Sequence, residues 1–313
     1  MITKNTNSDN GPWHSLDVVA WAPTKQTLHF CAQMLGKIRL ALSPPQPNWM
    51  FTPLYLSPRG LTTGPIPCSG SSIECVLDIF NSAIVISKSD GRTTSTALLP
   101  PRAIAEVYAE LSGALAQLNV GCFISPTPQE IVDTTPLHED QRVRAYDPSA
   151  ALRWFQAYTA VAGIFERWRS LFFGRSGVQV WWGAFDVALI LFNGRHVAPP
   201  TDRGYLMKYD LDAELMNVGL YLGDENTKPF FFGYIYPEPN GAPSLSVQPT
   251  AASWSAQLHE WVLPYDDVRG SVDPALELRA FIDAIYSHCF DAAGWDREAL
   301  AYDLPRAHAA TSR

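Results

Sequence analysis

The sequence predicts an α+β protein of two similar halves, each running helix, about five antiparallel strands, helix. Three observations predict it. Apolar residues recur at helical spacing in several long segments, short alternating runs bounded by turn residues lie between them, and the order of these elements repeats along the chain. Hairpin-linked strands imply antiparallel sheets with helices packed on them and a cleft between the halves.

The first half is expected over residues 13–125. Its opening helix runs from about Thr24 to Ala41 on a stripe of Leu28, Leu35, Ile38 and Leu42, and the run Ser43-Pro44-Pro45-Gln46-Pro47 stops it. Strands follow over 49–56, 61–66, 73–80, 83–89 and 94–98, with tight turns at Asn81-Ser82 and Asp90-Gly91. Pro100-Pro101 opens a second helix carrying Ile104, Val107, Leu111 and Leu115, and a short strand at 121–124 closes the half. Residues 126–146, rich in Pro, Thr and charge, read as a linker.

The second half is expected over residues 147–302. Asp147-Pro148 pairs an N-cap with proline at the first helical position. Strands are expected over 178–182, 184–192, 215–222, 229–236 and 260–263, with a turn at Asn193-Gly194 and a long loop from Arg195 to Glu214. Asp273-Pro274 caps a further helix, Gly294 ends it, and a short helix starts at Asp296. The entries to the two closing helices match locally: Thr96-Ala97-Leu98-Leu99-Pro100 against Glu260-Trp261-Val262-Leu263-Pro264. Residues 1–12 read as a disordered lead-in and 303–313 as a tail.

Composition narrows the function. Charged residues are only 17% of the chain and hydrophobic ones 47%, with ten Trp, so much of the chain is buried, at an interface, or lining a pocket. A net charge of −8 with no basic run argues against nucleic acid. The five cysteines form no CxxC, which disfavours a disulfide framework or a structural zinc site. No signal-peptide core or membrane-length apolar run occurs, so the expected setting is the cytoplasm, as a monomer or homodimer.

A set of motifs spans most of the chain. It includes Gly36-Lys37-Ile38-Arg39-Leu40, Pro53-Leu54-Tyr55, Pro58-Arg59-Gly60-Leu61-Thr62-Thr63, Trp182-Gly183 with Phe185-Asp186, Tyr236-Pro237-Glu238-Pro239, Leu263-Pro264-Tyr265-Asp266 and Gly294-Trp295-Asp296. With these the chain resembles an uncharacterised bacterial family of unknown function, DUF5996. The resemblance implies no activity. It implies departures: the family pattern has a His where this chain has Gln179, a His-Glu pair at Ala213-Glu214, and a Ser at Ala184. This chain therefore resembles a divergent member that keeps His29 and Glu214.

Candidate chemistry falls on a few polar residues. His29, Gln33 and Lys37 share one face of the first helix, as a pocket wall with His29 as acid or base, or as a solvated face. Arg59, with Tyr55, Thr62 and Thr63, would clamp an anionic group or tie down a loop. Strand alternation would put Trp182, Ala184 and Asp186 on one face, with Asp186 either in an aromatic pocket or paired to an Arg. Glu214 and Asn217 end the long loop, and Tyr234, Tyr236 and Tyr265 would line the same cavity or simply pack.

The expected function is a small-molecule enzyme using acid–base and electrostatic catalysis without a metal or organic cofactor. A cyclase, isomerase or lyase acting on an apolar or aromatic metabolite in biosynthesis fits best. Its catalytic groups are His29, Lys37, Asp186 and Glu214. Gln33, Tyr55, Arg59, Thr63, Gln179, Trp182, Asn217 and Tyr234 are its substrate contacts. The alternatives are a non-catalytic small-molecule-binding protein, an oligomeric scaffold, and a metal-dependent enzyme with His29 and Glu214 as ligands.

Overall fold

The computed structural model describes residues 11–302 except Arg203. Residues 1–10 of the expected lead-in and the expected tail 303–313 lie outside that range. The α+β class is borne out. Among the described residues there are seven helices and two antiparallel six-stranded sheets.

Helix α1 (Val18–Leu42) precedes the first sheet, which comprises β1 (Tyr55–Ser57), β2 (Gly60–Thr62), β3 (Ile66–Cys68), β4 (Ser71–Asp78), β5 (Ala83–Lys88) and β6 (Thr93–Ala97). Its order is β1-β2-β4-β5-β6, with β3 also pairing to β4. Alternation explains β4: Ile73, Cys75 and Leu77 are buried while Ser72, Glu74 and Val76 are part-exposed. Helix α2 (Ile104–Gln117) follows and packs on β5 and β6.

Helix α3 (Pro148–Trp168) precedes the second sheet, whose strands are β7 (Gln179–Trp181), β8 (Asp186–His196), β9 (Ala213–Tyr221), β10 (Phe230–Tyr236), β11 (Ser253–Ser255) and β12 (Glu260–Pro264). The order is β11-β12-β10-β9-β8-β7. Helices α4 (Gly204–Asp210), α5 (Tyr265–Gly270), α6 (Pro274–Asp291) and α7 (Arg297–Leu300) complete the set, and α6 packs on β10.

Several expected elements differ, each for a local reason. Helix α1 begins before Pro23, capped by Asp17, and bends at Trp21, two residues before the proline, whose missing N–H and ring disrupt the preceding turn. The strand expected over 49–56 shrinks to β1, because Asn48 and Trp49 are left-handed and Pro53 has no N–H to pair. No strand forms at 121–124, where Phe123 is 75% exposed. Asn193-Gly194 lies inside β8, with Gly194 at positive φ, and the strand runs on through it to His196 instead of turning. The long loop contains α4, and β11 and α5 have no counterpart in the expected order.

The chain forms two compact units. Of the described residues, one holds 11–160 with Gln179–Val187 and Tyr221–Pro229; the other holds Val161–Val178, Ala188–Leu220 and 230–302.

Candidate functional site

In the first unit, α1 is buried on nearly every side, with Gln33 at 0% and Lys37 at 2% exposure. Its polar groups are spent on backbone. The Gln33 carboxamide donates to the Gln129 carbonyl at 2.6 Å and accepts from the Gln129 N–H at 2.9 Å. Lys37 Nζ donates to the Ser125 carbonyl at 3.0 Å and to that of Thr127. Burial pushes the Lys37 ammonium down to about 8. The segment expected as a linker is thus tied to α1 at its start, and Arg144 and Asp140 pair within it at 2.6 Å.

His29 is held as tightly. Its Nε2 lies 3.0 Å from the Trp182 carbonyl and 2.8 Å from that of Gly183. Carbonyls only accept, so Nε2 carries the hydrogen and Nδ1 is the ring's remaining basic position. The ring stacks on Phe185 at 5.0 Å. Burial pushes the imidazole down to about 4, the two carbonyls partly opposing it, so His29 is uncharged at neutral pH.

The expected alternation through Trp182, Ala184 and Asp186 is corrected here. Strand β7 stops at Trp181, and residues 182–185 form a turn closed by the Phe185 N–H on the Trp181 carbonyl at 2.8 Å, with Phe185 left-handed at φ 62°. Trp182 donates through Nε1 to the Thr52 carbonyl at 3.0 Å and lies flat against Gly36, where a Cβ would drive into the indole. Asp186 is 8% exposed. Burial first, and the Asp186 charge second, hold the Tyr158 phenol far above its usual range.

The remaining expected contacts of this unit are structural ties. Arg59 binds Asp78 at 2.7 Å, and Asp78 also accepts the Phe80 and Asn81 N–H groups, so Arg59 fastens a turn. Tyr55 and Thr63 meet around a residue the sequence reading passed over. Arg39, 7% exposed, lies 5.0 Å over the Tyr55 ring and donates to the carbonyls of Phe51 and Thr63. Gln179 donates to Met50 Sδ at 3.3 Å, and its buried Oε1 has no hydrogen-bond partner.

The second unit holds the other three. Glu214 accepts from Asn193 Nδ2 and lies 3.7 Å from Arg195. Asn217 and Tyr234 come together: Asn217 Nδ2 donates to the Tyr234 hydroxyl at 3.2 Å. The Asn217 Oδ1 is buried and has no partner. Both side chains lie on the face of the second sheet turned away from α6. Gly233 meets Ile285 of α6, and Trp261 packs on His288 of α6, which leaves the alternate residues Tyr234 and Glu260 on the opposite face. The register Phe232↔Val262 and Gly233↔Trp261 sets Tyr234 across from Glu260.

Glu260 was missed because a charged residue at the start of a strand reads as an end of it. Its carboxyl makes no hydrogen bond or ion pair with any described residue. Burial raises its carboxyl to about 7, with no neighbouring charge contributing. The available signal was the alternation Glu260, Val262 against the buried Trp261, Leu263.

Among the described residues, no three of His, Cys, Asp and Glu are grouped to hold a metal ion. No helix among them is long and apolar enough to cross a membrane. A depression lined by Pro199, Pro200, Thr201, Gly204, Tyr205 and Lys208 contains none of the candidate groups.

A family model of unknown function matches residues 13–302. The chain belongs to the DUF5996 family. No curated protein and no solved structure matches this DUF5996 member.

Proposed function

We propose that this protein is a small-molecule enzyme working by acid–base chemistry on the sheet face of Asn217, Tyr234 and Glu260. One observation carries the reading: Glu260 is a part-buried carboxyl on the same sheet face as Asn217 and Tyr234, paired with no described cation, and burial raises it to about 7. Near neutral pH such a group is divided between its acid and base forms, the condition under which it both gives and takes protons efficiently. Tyr234 stands across from it as a hydroxyl, and Asn217 orients that hydroxyl while offering its own unfilled Oδ1 to a ligand. No metal or organic cofactor is required. His29, Lys37 and Gln33, expected in catalysis or substrate contact, serve the fold in this reading.

The test is to incubate a cell metabolite extract with the protein and follow it by mass spectrometry. Wild type should deplete at least one metabolite, and the Glu260→Gln variant should not, while remaining folded. Depletion by Glu260→Gln at the wild-type rate sinks the reading. The unfilled Asn217 Oδ1 also suits a binding protein without catalysis. That reading takes over if nothing is depleted but a small molecule co-purifies with wild type and is lost from Asn217→Ala.

A further inference from the structure

The unfilled groups of this face are acceptors, although Tyr234, Ser253 and Ser255 also put hydroxyls on it. Asn217 Oδ1 is a buried lone-pair acceptor without a donor. Asn217 itself is 9% exposed, so water reaches it poorly. Glu260 adds a carboxyl that no described Lys, Arg or His pairs with. The Tyr234 oxygen already accepts from Asn217. A phosphate or carboxylate ligand would fill neither the Asn217 Oδ1 nor the Glu260 carboxyl, since both accept and neither donates in its charged or amide form. The complementary ligand brings N–H or O–H groups, and a positive charge opposite Glu260.

Spacing and surroundings narrow it further. Asn217 is on β9 and Glu260 on β12, with β10 between them, so the two acceptors stand about two strand spacings, or about 10 Å, apart at the backbone. A single ammonium does not reach both. Between them lie the rings of Tyr234 and Phe232, which share this face of β10. Aromatic rings there accommodate a flat apolar body and also favour a nearby cation.

We propose that the face binds an arylalkylamine, its ammonium paired with Glu260 and a hydroxyl at the far end of its ring donating to Asn217 Oδ1. This assigns a substrate class to the acid–base site proposed above and rests on that placement.

The experiment uses four probes of one shape on the full chain, with dissociation constants from calorimetry: tyramine, phenethylamine, 4-ethylphenol and 4-hydroxyphenylacetate. Tyramine should bind about tenfold or more tighter than each of the others. Glu260→Gln should erase its advantage over 4-ethylphenol but keep its advantage over phenethylamine. Asn217→Ala should do the reverse. The inference is overturned if the carboxylate probe binds as well as tyramine, if the amine preference survives Glu260→Gln, or if none of the four binds. The two proposals fail separately. The predicted binding order without turnover of any amine removes catalysis and leaves the ligand class. Glu260-dependent depletion of a neutral metabolite, with no amine preference, removes the ligand class and leaves catalysis.

Discussion

Glu260 couples the fold to pH through one carboxyl. Its folded value of about 7 lies above its ordinary 4.5, so the protonated form suits the folded state better than the charged one. Its contribution to stability is therefore complete below about pH 4.5 and lost as pH rises through 7. Glu260→Gln, which keeps the shape and removes the charge, should raise the melting temperature at pH 8 and change it little at pH 4. The expected gain at pH 8 is on the order of 2 kcal/mol. Equal melting temperatures for the two proteins across pH 4–8 would remove this account of Glu260. The neighbouring pair Asn217 and Tyr234 was legible in the sequence as polar residues on strands near the long loop. Glu260 was not, because its raised carboxyl comes from what surrounds the strand and not from its place in it. His29 was legible as a residue that matters, but its hydrogen is committed to two carbonyls that only the folded turn supplies.

At the level of elements, α1 organises the first unit. Its apolar stripe was readable from spacing, but its opposite face offered only two sequence readings, a pocket wall or a solvated surface. The structure takes neither: Gln33 and Lys37 are buried and hold residues 125–129. Polar side chains buried this deeply need hydrogen-bond partners, and no sequence pattern marks which loop will supply them. Gln33→Leu should break both bonds to Gln129 and cost about 1–2 kcal/mol in urea unfolding, with faster amide exchange at Gln129. An unchanged unfolding midpoint would show that this clamp is dispensable. The packing of Trp182 on Gly36 gives a second test. Gly36→Ala should cost about 2 kcal/mol or more, because a fixed indole cannot yield to a new methyl. Combining it with Trp182→Leu should cost less than the sum of the two single changes, as a double-mutant cycle measures. Strict additivity would separate the two positions. Strands β4, β5, β6 and β10 fell near their expected bounds since alternation and turn residues are local signals. The turn at 182–185 did not, since a left-handed Phe185 is a demand of the hairpin and not a preference of phenylalanine.

At the scale of the whole molecule, the first unit is not one stretch of sequence. It draws in Gln179–Val187 and Tyr221–Pro229 from far along the chain. Within it, Leu54 and Val180 exchange both backbone hydrogen bonds, at 2.9 and 2.8 Å, and Trp182 packs on Gly36. A fragment of residues 13–146 lacks these partners. It should therefore show no cooperative thermal transition by circular dichroism, and a well-dispersed amide spectrum with a sharp melt would contradict this. Helix-then-strands order was legible because it is written locally. The membership of β7 in the first unit was not, since it depends on pairing between segments that share no sequence signal. That pairing has a consequence for how the family varies. Where a relative carries a smaller residue at 182, position 36 is released from glycine, and where 182 stays Trp, glycine is required. Two columns far apart in an alignment of relatives should therefore change in step, and a member with a bulky residue at 36 and Trp at 182 would have had to rebuild the turn that follows.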